Sequence, residues 1–217
     1  MASRCFNFFA FALLSSTIFF ANQPAHAQTN VPVASALAAD SVVEGVPNFG
    51  VVSPVLWRSA QPSQANFNEM KKAGLKTVIN LRDGDKDIRV GKQMAENAGL
   101  KYVSLPLSVF KSVKPQEIDK FLEVVNNPEN QPVLVHCRQG QDRTGTMVAI
   151  YRLTQQQWTA NNAYQEMLKY GFHPIFIGLS NSMYSVAGQL GRPETPPGAD
   201  EIVTDLKSRF KRAMSIL

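Results

Sequence analysis

Apolar positions along this chain follow two rhythms. Residues 76–81 and 100–105 alternate apolar with polar positions, and Val133, Leu134 and Val135 form a β-branched and apolar run entered from Pro132. Each stretch reads as a strand. Residues 46–63 set a further apolar strand among Pro, Gly and Ser turn formers. Between these runs the apolar spacing is helical. Ser63 caps a helix that carries Phe67 and Met70 and stops at Gly74; residues 88–98 with Gly99 form a second. Residues 82–85 read as the turn before that second helix. Residues 115–126 place Ile118, Phe121, Leu122 and Val125 on one helical face. Beyond the third run, residues 144–156 read as one helix, and Thr159 caps another that runs through Ala163, Met167 and Leu168 toward Tyr170 and Gly171. Strand and helix alternating in this order predict an α/β fold with a central, mostly parallel sheet flanked by helices. Residues 193–198 are a Pro- and Gly-rich linker. Residues 200–217 form a basic amphipathic helix, with Ile202, Leu206, Phe210 and Met214 at four-residue steps, expected to dock on the domain.

The N-terminal residues change the picture of where this fold works. Arg4, an apolar run over residues 8–20, and Ala25-His26-Ala27 make residues 1–27 a signal peptide with cleavage before Gln28. The apolar run is short for a membrane span and no second run follows, so an exported, periplasmic or secreted protein with no stable membrane insertion is expected. Residues 28–45 read as a flexible leader, 46–190 as one domain, and 191–217 as linker and C-terminal helix. Cleavage removes Cys5 and leaves Cys137 as the sole thiol, which excludes an internal disulfide. The full chain has 22 basic and 17 acidic residues, and loss of Arg4 lowers the net charge from +5 to +4. Mild basicity suits an anionic substrate. No dense Lys/Arg block with interleaved aromatics points to nucleic acid.

The candidate chemistry lies after the third strand, in His136-Cys137-Arg138-Gln139-Gly140-Gln141-Asp142-Arg143-Thr144-Gly145. A polar loop between a buried strand and a helix N-terminus directs backbone N–H groups at an anion. A helix N-terminus and a neighbouring guanidinium favour a thiolate, so Cys137 is the candidate nucleophile. Arg143 offers a planar fork for two phosphoryl oxygens at once. Thr144 can donate to the sulfur, and Gly145 lets the helix start close to neighbouring backbone. The alternative, an inert core cysteine, needs no Arg, Thr and two glycines in fixed register.

The string His-Cys-x-x-Gly-x-x-Arg-Thr-Gly after a Val/Leu strand resembles the signature of the cysteine-dependent protein tyrosine and dual-specificity phosphatase superfamily. Trp57-Arg58-Ser59-Ala60-Gln61-Pro62 is similar to a segment near the domain start of bacterial members; in that resemblance Arg58 buttresses the active site, and a solvated edge-strand Arg is the alternative reading. Gly171-Phe172-His173-Pro174 is similar as well, with His173 read as tying down a helix end. The resemblance implies a tyrosine phosphatase-like fold and two-step phosphoryl transfer. In it Cys137 attacks phosphorus and water hydrolyses the cysteinyl-phosphate. Arg143 and the loop amides hold the oxygens, with His136, Arg138, Gln139, Gly140, Gln141 and Thr144 binding substrate. His136 is expected to bond neighbouring backbone and help keep the thiolate ionised. No metal or organic cofactor is implied. The family's usual general acid, an Asp from a mobile upstream loop, has no counterpart here, because residues 104–114 lack a carboxylate. Asp142 is the favoured acid, with Asp83, Asp85 and Asp87 as alternatives, and Glu117 and Asp119 as helix-dipole partners. Neutral Gln139 and Gln141 favour protein or small aryl phosphates over inositol polyphosphates or phosphoinositides. A phospho-ligand binding module and a sulfurtransferase are the competing classes. Oligomeric state stays open.

Overall fold

The computed structural model describes residues 45–215. The expected signal peptide and most of the expected leader lie outside the described residues. Five strands form one sheet: β1 (Gly50–Ser53), β2 (Leu56–Ser59), β3 (Thr77–Asn80), β4 (Lys101–Ser104) and β5 (Val133–His136). Their spatial order is β1-β2-β5-β3-β4. β5 lies between β2 and β3 and runs parallel to both, with His136 opposite Ser59 on one side and Asn80 on the other. β4 continues the parallel set, and only β1 is antiparallel, at the edge. The single strand expected in residues 46–63 is therefore a tight β1/β2 hairpin.

Every residue of β2, β3 and β5 is buried, as expected of strands covered on both faces. Alternate side chains supply two cores. Trp57, Val78 and Leu134 pack with Phe67, Met70 and Ala95 beneath α1 (Gln64–Lys72) and α2 (Asp85–Asn97). Leu56, Ile79, Val133 and Val135 face the other way. They meet Phe121 and Val125 of α3 (Pro115–Asn126), Met147, Val148 and Ile150 of α4 (Asp142–Gln155), Ala163 and Met167 of α5 (Ala160–Lys169), and Leu179 and Met183 of α6 (Ile177–Gln189). The helix starts follow local chemistry. Ser63 and Asn66 cap α1 reciprocally. Thr159 caps α5, whose first amides also donate to Glu194, so a carboxylate sits at the positive end of the dipole.

Three sequence expectations change. α2 begins at Asp85, in the predicted turn. α4 begins at Asp142, two residues before the expected start, which places Asp142 and Arg143 in its first turn. α6 was not expected at all. In α7 (Ala199–Met214) the predicted apolar stripe is present, but Leu206, Phe210 and Met214 are exposed and only Ile202 is half-buried. Among the described residues no helix is long and apolar enough to cross a membrane.

Candidate active site

β5 delivers the chain to Cys137 at the C-terminal edge of the parallel strands, where open α/β sheets bind ligands, and α4 takes it away from Asp142. The Cys137 thiol is nearly enclosed, and its Sγ accepts the Gly140 N–H at 3.2 Å. The N–H groups of Arg138, Gln139 and Gln141 donate to no acceptor among the described residues, and α4 has no side-chain cap. These free donors belong to the loop that joins Cys137 to the positive end of α4, the electrostatic requirement for an oxyanion next to a nucleophile.

The loop is held from below by the segment whose likeness to bacterial phosphatases was noted in the sequence. Arg58 is buried, and its Nη2 donates to the Gly140 carbonyl at 2.6 Å. Its guanidinium lies 3.5 Å from the centre of the Tyr170 ring, and burial lowers its pKa to about 10, leaving it charged at neutral pH. Nε and Nη1 of Arg58 are buried without a partner, so the Gly140 and Tyr170 contacts carry the side chain. Gln61 N–H donates to the Arg138 carbonyl at 3.2 Å, and Asn48 Nδ2 donates to that of Gln139 at 2.7 Å. Gly140 has φ +69°, and a Cβ there would lie 2.5 Å from Ala60 N and 2.6 Å from Ser59 C. The loop therefore rests directly on β2 backbone, a contact open only to glycine.

Arg143 closes the loop. Its Nη1 is fixed by Asp83 Oδ1 at 2.8 Å, the Leu107 carbonyl at 3.2 Å and the Leu81 carbonyl at 3.4 Å. Nε and Nη2 have no protein partner among the described residues, leaving one edge of the fork for two oxygens. A cavity of about 290 Å³ is lined by Cys137, Arg138, Gln139, Asp142 and Arg143, together with Val109, His173, Ile175 and Phe176. Five sequence-predicted residues thus meet in one site.

The other predicted residues contribute differently. His136, Gln141 and Thr144 do not line the cavity. His136 is fully buried, with Nδ1 donating to the Cys137 carbonyl at 3.3 Å, and burial lowers its pKa to about 4. The expected backbone bond is present, but a neutral ring supplies no positive charge to the thiolate. The Thr144 hydroxyl is buried with no partner instead of donating to the sulfur; the Gly140 amide takes that place. A Cβ on Gly145 would meet Met167 Cγ, Cβ and Cα at 3.6, 3.8 and 4.0 Å, all ordinary contact distances, so the tighter backbone approach of the loop is at Gly140. Among the alternative acids, Asp83 is engaged by Arg143 and Asp87 by Arg82 at 2.6 Å, while Glu117 caps Lys114 N–H. Sequence reasoning missed His173 as a site residue, although its Gly-Phe-His-Pro setting had been singled out.

A family model described as "DSP-PTPase phosphatase fused to NAD+ Kinase" matches residues 46–176. The chain is 31% identical over 155 residues to the dual specificity protein phosphatase TpbA of Pseudomonas aeruginosa, covering 71% of this chain and 68% of that protein. It is 28% identical over 154 residues to the inositol diphosphatase Siw14 of Saccharomyces cerevisiae, covering 68% of this chain and 54% of the yeast protein. The crystal structure of a TpbA variant in complex with phosphotyrosine superimposes with a TM-score of 0.56 at 26% identity, over 67% of this chain and 90% of that one. A thiol and a guanidinium lining one cavity, within a family match that spans more than half of the sequence, have a single reading: the chain belongs to the dual-specificity and tyrosine phosphatase family and is a cysteine-dependent phosphatase of phosphate monoesters.

Proposed function

We propose that the preferred substrates are aryl phosphate monoesters, phosphotyrosyl side chains foremost, and that catalysis runs through a cysteinyl-phosphate on Cys137. The observation that carries this reading is the wall of the cavity: Val109, Ile175 and Phe176 line it together with the loop residues, and exposed Phe110 packs edge-on against Phe176 with ring centres 5.8 Å apart. Such a mouth gives an aromatic leaving group apolar surface to lie against. The permanent cations in the lining are Arg138 and Arg143, few for a highly phosphorylated inositol. The likeness to a phosphatase solved with phosphotyrosine supports the same choice.

In this mechanism Cys137 Sγ attacks phosphorus in line while the loop amides and the free edge of Arg143 take up the equatorial oxygens. Asp83 orients Arg143, and Arg58 keeps the Gly140 segment beneath the phosphate. The proton that the leaving oxygen needs comes from the Asp142–His173 pair. The setting is an exported one, with residues 1–27 as a cleaved signal; a mature N-terminus at Gln28, read by N-terminal sequencing, tests this.

Initial rates on phosphotyrosyl peptide, phosphoseryl peptide and an inositol polyphosphate test the substrate class. kcat/KM is expected to be highest on the phosphotyrosyl peptide, and Phe176→Ala is expected to lower that value more than the others. A preference for the inositol polyphosphate would overturn the reading.

A further inference from the structure

Asp142 and His173 form a pair that the loop motif does not contain. The Asp142 carboxylate is largely buried, and both of its oxygens turn to His173. Oδ1 accepts the His173 backbone N–H at 2.8 Å, while Nδ1 of the ring lies 3.0 Å from Oδ1 and 3.2 Å from Oδ2. With Nδ1–H given to the carboxylate, Nε2 on the far side of the ring is the nitrogen left for exchange. The His173 side chain is 41% exposed and lines the cavity beside Cys137 and Arg143. Of the lining residues other than the nucleophile and the two arginines, Asp142 and His173 are the ones whose side chains carry an exchangeable acid or base group. The ring is firmly carried: Phe172 before it is fully buried, Phe176 N–H donates to its carbonyl at 3.0 Å, and the Phe176 ring stands edge-on at 6.0 Å.

We infer that His173 is a catalytic residue which carries the proton in both half-reactions, and that Asp142 is the positioning residue that fixes its ring. This deepens, and rests on, the phosphatase mechanism proposed above. In the first step the Sγ–P bond forms and the P–O bond to the leaving group breaks; the imidazolium Nε2 proton passes to the departing oxygen, which leaves as an alcohol or phenol. In the second step a water oxygen bonds to phosphorus, neutral Nε2 takes the water proton, and the S–P electron pair returns to Cys137 as thiolate. Inorganic phosphate leaves, and the imidazolium is restored.

The test is the dependence of kcat/KM on leaving group for wild type, His173→Asn and Asp142→Asn. Dinitrophenyl phosphate needs no proton; phenyl and tyrosyl phosphates do. His173→Asn keeps the main-chain bond to Asp142 and places an amide nitrogen near the position of Nδ1, but lacks Nε2. It is expected to lower kcat/KM on phenyl and tyrosyl phosphates by about 10²- to 10⁴-fold, the range of a general acid, and on dinitrophenyl phosphate by less than about tenfold. Its cysteinyl-phosphate should also accumulate, because the second step has lost its base. Asp142→Asn should show the same divergence at about one tenth of the size. Vanadate binding within a few-fold of wild type reports an intact loop. If the Asn variant loses that binding, His173→Gln is judged by the same divergence. Equal loss on all substrates in both His173 variants overturns the inference, and so does divergence in Asp142→Asn alone, which would make Asp142 the direct acid. Failure of the underlying mechanism looks different: wild type would not turn over dinitrophenyl phosphate, or Cys137→Ser would still do so.

Discussion

Gly140→Ala probes how the loop is supported. The added methyl would sit 2.5 Å from Ala60 N, 2.6 Å from Ser59 C and 2.7 Å from Ser59 O, all backbone atoms of a fully buried strand end. None of them can swing away as a side-chain tip could, so the loop must lift. The residue would also hold φ +69°, a left-handed conformation that costs an L-residue about 1 to 2 kcal/mol. Lifting the loop stretches the Arg58–Gly140 bond of 2.6 Å, and a hydrogen bond to a charged donor is worth about 1.5 to 3 kcal/mol. Destabilisation of about 2.5 to 5 kcal/mol follows, a large part of the ~5 to 15 kcal/mol that holds a domain together. Catalysis should fall further than stability alone implies. The Gly140 amide is the donor to Cys137 Sγ, and a displacement of about 1 Å in a catalytic group costs on the order of 10²-fold in rate. The assay pairs urea unfolding with kcat/KM on an aryl phosphate, with Gly145→Ala as control. A Cβ on Gly145 would meet Met167 atoms at ordinary contact distances of 3.6 to 4.0 Å, and Gly145 lies inside α4, where Ala gains up to ~1 kcal/mol of helix propensity; its stability should hold or rise. If Gly140→Ala unfolds within 1 kcal/mol of wild type (an order-of-magnitude threshold on the left-handed cost alone), the account of the loop's seating is wrong.

Two further outcomes follow from the same geometry. Arg143→Lys is expected to lower kcat/KM by about 10²- to 10³-fold, the cost of losing an oxyanion donor, because one amine cannot remain on Asp83 and the Leu107 carbonyl and still hold two phosphoryl oxygens; steady-state rates within tenfold of wild type would remove Arg143 from the clamp. For His136, burial depresses the folded-state pKa to about 4 from 6.5, so the folded protein resists a proton that the unfolded chain accepts. Stability present above pH 6.5 should therefore fall away as pH drops toward 4, by about 3 kcal/mol. Denaturant midpoints across that range should show a shallower decline in His136→Asn than in wild type, and equal slopes would mean that His136 does not titrate with unfolding.

The loop was legible in the sequence because its chemistry needs contiguous residues: a strand end, a thiol, small or polar spacers, a guanidinium and a helix start. The strands were legible because parallel strands buried on both faces read as short apolar runs. What escaped the sequence is set by distant partners. Asp142 and His173 are 31 residues apart, and no local pattern marks their meeting; the buttressing role of Arg58 was legible from its segment, but not its partner Gly140, 82 residues on. Gly145 looked like the glycine of close approach, yet that role belongs to Gly140, whose neighbours are on β2. α6 was missed because Gly178, Ser180, Ser182 and Gly188 lower its helical signal. The structure gives two of these residues a purpose: Ser182 Oγ accepts the Val113 N–H at 2.8 Å, and a Cβ on Gly178 would lie 3.0 Å from the backbone of Lys111 and Ser112. The small residues admit the 105–113 loop that carries Val109 to the cavity. The stripe on α7 was legible as a pattern, but periodicity shows only that a helix has an apolar face, and here Leu206, Phe210 and Met214 of that face are exposed.

The central claim is that phosphoryl transfer passes through Cys137. Rapid acid quench of the protein with an aryl phosphate, followed by intact-mass and peptide mass spectrometry, tests it directly. One added phosphoryl group should be found on the peptide carrying Cys137, forming and decaying at rates consistent with turnover, and it should be absent from Cys137→Ser, which loses turnover while still binding vanadate. Turnover by Cys137→Ser, or a phosphoryl group trapped on any other residue, would contradict the account.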